Sequence, residues 1–114
     1  MIDFINRISG EDVSSETSDI ILYYDGPLSW IAWGKETKNP FYIHFLDETS
    51  DGIFYLVVHL MQEENVQLLA EKRYEPLFFF KNCPITLISS ADGNNYEESS
   101  IAFEDIPQHW LPLI

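Results

Sequence analysis

The stretch "PFYIHFLDETSDGIFYLVVHL", residues 40–60, contains two apolar runs on either side of a short polar segment. The runs 40–47 and 53–60 are rich in β-branched and aromatic residues, which favour strands, and Gly52 closes the polar segment between them. We therefore predict the two arms of a β-hairpin. Each arm is apolar on both faces, which indicates a central place in a sheet that is covered on both sides.

The length of the polar segment suggests a register for this hairpin. If Asp47 pairs with Ile53, the numbers of paired residues add up to 100. Because side chains alternate along a strand, this register places His44 and His59 on opposite faces of the sheet. A slip of one residue would reverse that arrangement.

A second hairpin precedes the first in the sequence. "IILYY" (20–24) and "LSWIAW" (28–33) have strand composition and flank the turn residues "DGP". Alternation sends Trp30 and Trp33 to opposite faces, so we expect core packing rather than one stacking platform. One of the two tryptophans remains a candidate anchor for a protein interface.

The segment after residue 60 changes to helical spacing. "QEENVQLLAEKR" (62–73) predicts a helix, while "LFFF" (77–80) fits either a helical turn or a strand. Further strands are predicted over 84–90 and 99–103. The predicted fold class is α+β, with an antiparallel sheet of five or six strands and one main helix packed on one face.

The N-terminal part of the chain differs in composition from the rest. Residues 2–8 have apolar residues three apart and predict a one- to two-turn amphipathic helix, while "SGEDVSSETSD" (9–19) predicts a flexible acidic linker. We therefore expect an N-terminal segment and linker over 1–19, followed by a single α+β domain over 20–114.

The excess of acidic residues indicates which kinds of partner the protein can bind. Among 114 residues, 19 are acidic and six are basic, which gives a formal net charge of −13. Such a surface repels nucleic-acid phosphates and anionic lipid, so we expect no direct nucleic-acid partner and no membrane partner, but a protein with a basic surface. The chain lacks a secretory signal pattern and a long apolar run, and its single cysteine cannot form an internal disulfide. The expected location is the cytoplasm.

Residues that could carry chemistry are few. His44, His59, His109 and Cys83 match no short metal-binding spacing, and the chain has no nucleophile elbow and no glycine-rich phosphate loop. The apolar surroundings of Cys83 should raise the pKa of its thiol and make it inert. We expect no catalytic residue, no metal and no cofactor. An enzyme that uses His44 or His59 remains an alternative.

Carboxylates concentrate toward the C-terminal end of the chain. A rigid line of them can imitate the phosphates of a nucleic acid, although charges at a sheet edge also simply prevent unwanted strand pairing. The candidate protein-binding residues are Asp92, Glu97, Glu98, Glu104 and Asp105, together with Trp33.

The hypothesis that these residues favour is a small, acidic, non-catalytic protein-binding module. It would inhibit or neutralise a basic or nucleic-acid-binding protein, as antitoxins, immunity proteins and phage counter-defence proteins do. The alternative is an adaptor or structural subunit of a bacterial or phage complex. The sequence leaves the oligomeric state open.

Several short motifs follow one another in a characteristic order. "YDGPL" lies near the start, "EENVQLLAEKR" and "PLFFF" follow, and "EDIPQHWLP" lies near the end. Over about residues 20–112 the chain resembles a small uncharacterised bacterial and phage domain family, in which a YDGPL turn opens the domain and an LP closes it. The resemblance implies an α+β domain and supplies no catalytic residues.

Overall fold

The computed structural model describes residues 5, 7–15, 20–23, 27–49, 52–70, 76–91 and 95–107. Within them, antiparallel strands form one curled half-barrel with two short helices. The elements, in chain order, are β1 (Arg7–Ile8), β2 (Glu11–Ser14), β3 (Ile20–Tyr23), β4 (Pro27–Gly34), β5 (Pro40–Thr49), β6 (Gly52–His59), α1 (Glu63–Ala70), α2 (Pro76–Asn82), β7 (Ile85–Ser90), β8 (Glu97–Ser100) and a 3-10 turn (Phe103–Asp105). Seven strands follow the order β1-β2-β4-β5-β6-β7-β8, and β3 pairs with β4 beside this path.

The central hairpin has the predicted register over most of its length. Pairs from Phe41 with His59 to Phe45 with Tyr55 have numbers that add up to 100. An irregularity between Phe45 and Asp47 then shifts the register by one, so that Asp47 pairs with Phe54 and not with Ile53. The predicted Asp47–Ile53 pair is wrong, but the predicted alternation over 41–45 is confirmed.

The concave face of the sheet holds the first of two apolar cores. Because Ile8 of β1 and Ile88 of β7 belong to the same buried cluster, this cluster lies inside the curl. Trp30 is its largest side chain, 1% exposed, and its ring contacts Tyr55 edge-on at 6.0 Å between centroids. The other members are Ile5, Val13, Ala32, Phe41, Ile43 and Val57.

The convex face holds the second core, and the helices cover it. Phe79 and Phe80 of α2 pack with Ile31, Tyr42 and Leu56 of the sheet. Val66 of α1 and Phe103 of the 3-10 turn also contact this core, and Ile106 is buried in it.

The predicted fold class is wrong. The protein is mostly an antiparallel sheet with small helices, not an α+β domain in which one main helix covers one face of five or six strands. Helix α1 spans only Glu63–Ala70 of the predicted range 62–73, and residues 71–75 lie outside the described part. Pro76 begins α2, where its missing N–H costs no hydrogen bond, and "LFFF" forms part of that helix.

The N-terminal residues belong to the sheet. Arg7–Ile8, predicted as helical, form β1, and β2 lies within the predicted linker. Strand β2 pairs Val13 with Gly34 of β4, and Ser15 Oγ donates a hydrogen bond of 2.7 Å to the Ile31 carbonyl. These segments are too short and too polar to show a strand pattern. They become strands because β4 supplies backbone partners to β2, and β2 supplies them to β1.

The Glu11 carboxylate fixes the turn between β4 and β5. It accepts hydrogen bonds from the Glu36 N–H (3.0 Å), the Thr37 N–H (2.6 Å) and Thr37 Oγ1 (2.9 Å). Gly34 lies directly beneath it, because a Cβ there would come within 2.5 Å of Glu11 Oε1. The hydrogen bond from the Thr37 N–H is the largest influence and lowers the pKa of Glu11; burial opposes it, and the other two hydrogen bonds and the charge of Lys38 add to the lowering. The sequence offered no signal for this contact.

Candidate protein-binding edge

Strand β8 is one edge of the sheet and carries two of the candidate carboxylates. Its four residues, Glu97–Ser100, pair with β7 and are all exposed. The strand has no apolar side chain, so backbone pairing with β7 holds it in place. This polarity explains why the last strand was predicted at 99–103 instead, over the apolar residues that follow.

The remaining described carboxylates of the group follow β8 on the 3-10 turn. Glu104 and Asp105 are exposed, while Phe103 packs against the convex core and Ile106 is buried in it. Buried neighbours therefore hold the two carboxylates at the surface. Lys81 of α2 lies near this turn, with its Nζ 5.8 Å from the centroid of the Phe103 ring.

Four of the six predicted binding residues are exposed and lie in one short segment of the chain. Glu97, Glu98, Glu104 and Asp105 lie between residues 97 and 105. Trp33 does not join them, because β5, β6 and β7 lie between β4 and β8 and its side chain packs against the convex core. Asp92 lies outside the described residues.

The backbone of β8 presents hydrogen-bonding groups away from the sheet. The His59 N–H donates to the Pro84 carbonyl and the Ile101 N–H donates to the Ile85 carbonyl. Since backbone direction alternates along a strand, the even-numbered residues of β7 bond to β6 and the odd-numbered ones bond to β8. In the register of β7 with β8, the N–H and C=O groups of Glu98 and Ser100 therefore point outward. Within the described ranges no backbone hydrogen bond occupies them.

The Glu98 carboxylate connects the two ends of the curled sheet. Its two oxygens lie 3.0 and 3.2 Å from the backbone N of Ser9, whose N–H donates to them. Ser9 lies in the turn between β1 and β2, and Glu98 shares the concave side with Ile88, its partner in β7. Glu97, one residue earlier, points to the other side of the strand.

His44 lies on the convex face. Its ring stacks on Tyr42 at 6.3 Å between centroids and meets Phe80 edge-on at 6.2 Å. Burial lowers the pKa of His44 to about 4, and its Nδ1 has no hydrogen-bond partner within the described residues. A neutral imidazole enclosed by aromatic rings is a packing group.

His59 lies on the concave face, so the predicted separation of the two histidines is confirmed. A hydrogen bond of 2.8 Å joins His59 Nε2 and Thr86 Oγ1, and the ring meets Phe41 edge-on at 5.1 Å. Burial lowers the pKa of His59, and the negative charge of Glu98 partly opposes this. The histidines are thus separated by the sheet and do not form one site.

The other residues considered for catalysis or metal binding do not form a site within the described residues either. Burial raises the pKa of the Cys83 thiol, which packs against the convex core, as its apolar surroundings predicted. His109 lies outside the described residues. Over the part of the chain that the structure describes, no three His, Cys, Asp or Glu side chains group as metal ligands.

A surface cavity of about 430 Å³ lies at the opposite end of the strand path, lined by Arg7, Asp12, Val13 and Lys35. Arg7 pairs with Asp12 at 3.2 Å and donates a hydrogen bond to the Gly10 carbonyl. The cavity therefore lacks the unpaired Arg7 charge that an anion site would use.

Neither helix of the described chain combines the length and the apolar character that crossing a bilayer requires. Comparison with protein-family models, with curated proteins and with solved structures gives no match. The resemblance to the bacterial and phage domain family therefore stays a prediction.

Proposed function

We propose that this chain is a small acidic protein-binding module that binds a basic protein through strand β8 and the following 3-10 turn. We refer to the surface formed by Glu97, Glu98, Glu104 and Asp105 as the acidic edge. In this role the protein inhibits or neutralises a nucleic-acid-binding partner by occupying the partner's basic surface.

The observation that carries the proposal is the fixed exposure of these carboxylates. Backbone pairing with β7 holds Glu97 and Glu98, and the buried Ile106 anchors the turn that carries Glu104 and Asp105. Among the described residues, an ion pair joins Arg7 to Asp12 at the other end of the strand path, and none involves these four carboxylates. The acidic edge therefore keeps its charge available for a partner.

Net charge gives this surface a kinetic consequence. A formal charge of −13 attracts a basic protein over a distance comparable to the Debye length, about 10 Å at 0.1 M salt and about 3 Å at 1 M. Electrostatic steering of this kind raises association rates by about 10- to 1,000-fold. The single cysteine, Cys83, can form no internal disulfide and gives no support to an oxidising compartment, and the location we propose is the cytoplasm.

The test compares association rates of a captured basic partner across 0.1 to 1 M salt. Replacing Glu97, Glu98 and Glu104 by Gln and Asp105 by Asn should slow association and flatten its salt dependence. Gln at position 98 still offers an oxygen to the Ser9 N–H, so the curl of the sheet is retained.

A matched control separates local charge from net charge. Replacing Asp12 by Asn and Glu36, Glu63 and Glu64 by Gln removes the same number of exposed carboxylates elsewhere. This variant should keep most of the wild-type rate. Equal rates for both variants would contradict the assignment to the acidic edge, and association that ignores salt in all three proteins would favour the adaptor role.

A further inference from the structure

We propose that the partner binds the acidic edge by strand addition: an extended segment with alternating lysine or arginine residues pairs with the outer side of β8. This inference rests on the proposed function and specifies its binding mode. The occupant is a basic strand of another protein, identified by its charge and its extended backbone.

The outer side of β8 has backbone groups that an added strand could bind. Glu98 and Ser100 point their N–H and C=O groups away from β7, and no described backbone group bonds to them. An added antiparallel strand would find two donors and two acceptors at the spacing of an antiparallel ladder. Edge strands usually prevent such pairing by being short or by carrying charged residues or proline; β8 is short and carries two glutamates but no proline, so its charge disfavours an acidic strand and favours a basic one.

The side chains of β8 select the charge of the added strand. Glu97 lies on the convex side of β8, whereas the Glu98 carboxylate on the concave side already accepts the Ser9 N–H. Like charges would repel an acidic or a second identical strand directly opposite Glu97. A lysine on the convex side of an added strand would meet Glu97, and a small polar residue would fit on the concave side.

The probe is the capped peptide acetyl-TKTKTKT-amide, titrated into the protein while backbone amide resonances are followed by NMR at low salt. In antiparallel strand addition, a residue that bonds to Glu98 lies directly opposite it and shares its concave side, so threonines bond to β8 and lysines face Glu97. We expect the largest shifts and slowed amide exchange at Glu98 and Ser100.

Two methylated peptides of identical charge test the backbone directly. N-methylation of the internal threonines removes the N–H groups that face β8, whereas N-methylation of the lysines removes those that face away. The threonine-methylated peptide should bind about tenfold more weakly, since each lost hydrogen bond costs about two- to tenfold in affinity. The lysine-methylated peptide should bind like the parent peptide.

A protein variant tests the same contact from the other side. Ser100→Pro removes an N–H that faces away from β7, so β7–β8 pairing is retained. It should bind the parent peptide about two- to tenfold more weakly than the control Ser100→Ala, which loses only the hydroxyl group. Should the proline variant not fold, the methylated peptides decide the question with wild-type protein.

The outcomes separate this inference from the proposed function. Equal binding of both methylated peptides, with charge neutralisation of the acidic edge still weakening binding, overturns strand addition and leaves the proposed function standing. Failure of the parent peptide to bind, or shifts centred away from β8, also overturns strand addition. The proposed function fails separately if partner association ignores both salt and the acidic-edge substitutions.

Discussion

His44 makes the stability of the folded protein depend on pH in a defined window. Burial lowers its pKa from 6.5 to about 4, so the folded protein resists protonation that the unfolded chain accepts. Above pH 6.5 both states are neutral at this residue and it contributes no pH dependence. As pH falls from 6.5 toward 4, the unfolded chain gains a proton first and stability falls.

The magnitude follows from the two pKa values. Each unit between them corresponds to about 1.4 kcal/mol, so the loss attributable to His44 reaches about 2 kcal/mol at pH 5 and about 3 kcal/mol at pH 4. At pH 5 ordinary carboxyl groups are still largely ionised. The change between pH 8 and pH 5 therefore reports mainly the histidines.

The assay is urea denaturation at pH 8, 6.5, 5.5 and 5 for wild type and His44→Phe. Phenylalanine keeps an aromatic ring against Tyr42 and Phe80 but cannot take up a proton. We expect the variant to lose about 2 kcal/mol less than wild type between pH 8 and pH 5. Each protein serves as its own reference, so a change in overall stability does not affect the comparison.

His59→Gln is the matched control. The pKa of His59 is also lowered by burial, but the charge of Glu98 works in the opposite direction, so its removal should change the pH dependence less. If His44→Phe keeps the full wild-type loss between pH 8 and pH 5, then His44 is not buried as a neutral imidazole and the reasoning is wrong.

Three further predictions concern the fold. Trp30→Ala should lower the free energy of unfolding by about 3–5 kcal/mol, and Trp33→Ala, at a half-buried position, by less; equal values in chemical denaturation would contradict the assigned burial. Gly34→Ala should lower the melting temperature because its Cβ displaces the Glu11 carboxylate, and in a Glu11→Ala background the same substitution should cost less. Deleting residues 1–15 removes Ile5, Ile8 and Val13 from the concave core and should abolish cooperative unfolding, whereas a dispensable segment would leave the transition intact.

The sequence by itself determined the centre of the sheet. In the hairpin 40–60, alternation over 41–45 placed His44 and His59 on opposite faces, and alternation along β4 separated Trp30 from Trp33. These features follow from the period of two that any strand imposes on its side chains, so they need no tertiary information. The exposed carboxylates of 97–105 were also recognisable from composition alone.

Only the tertiary structure determined which segments form the outer strands of the sheet. Strands β1, β2 and β8 contain few apolar residues or none, and they are strands because a neighbouring strand supplies backbone partners. The irregularity at Leu46, the Glu11 contact with the turn at Thr37 and the Glu98 contact with Ser9 join residues whose pairing no local pattern specifies. Which backbone groups of β8 face outward likewise depends on its register with β7, and a shift of one residue would reverse it.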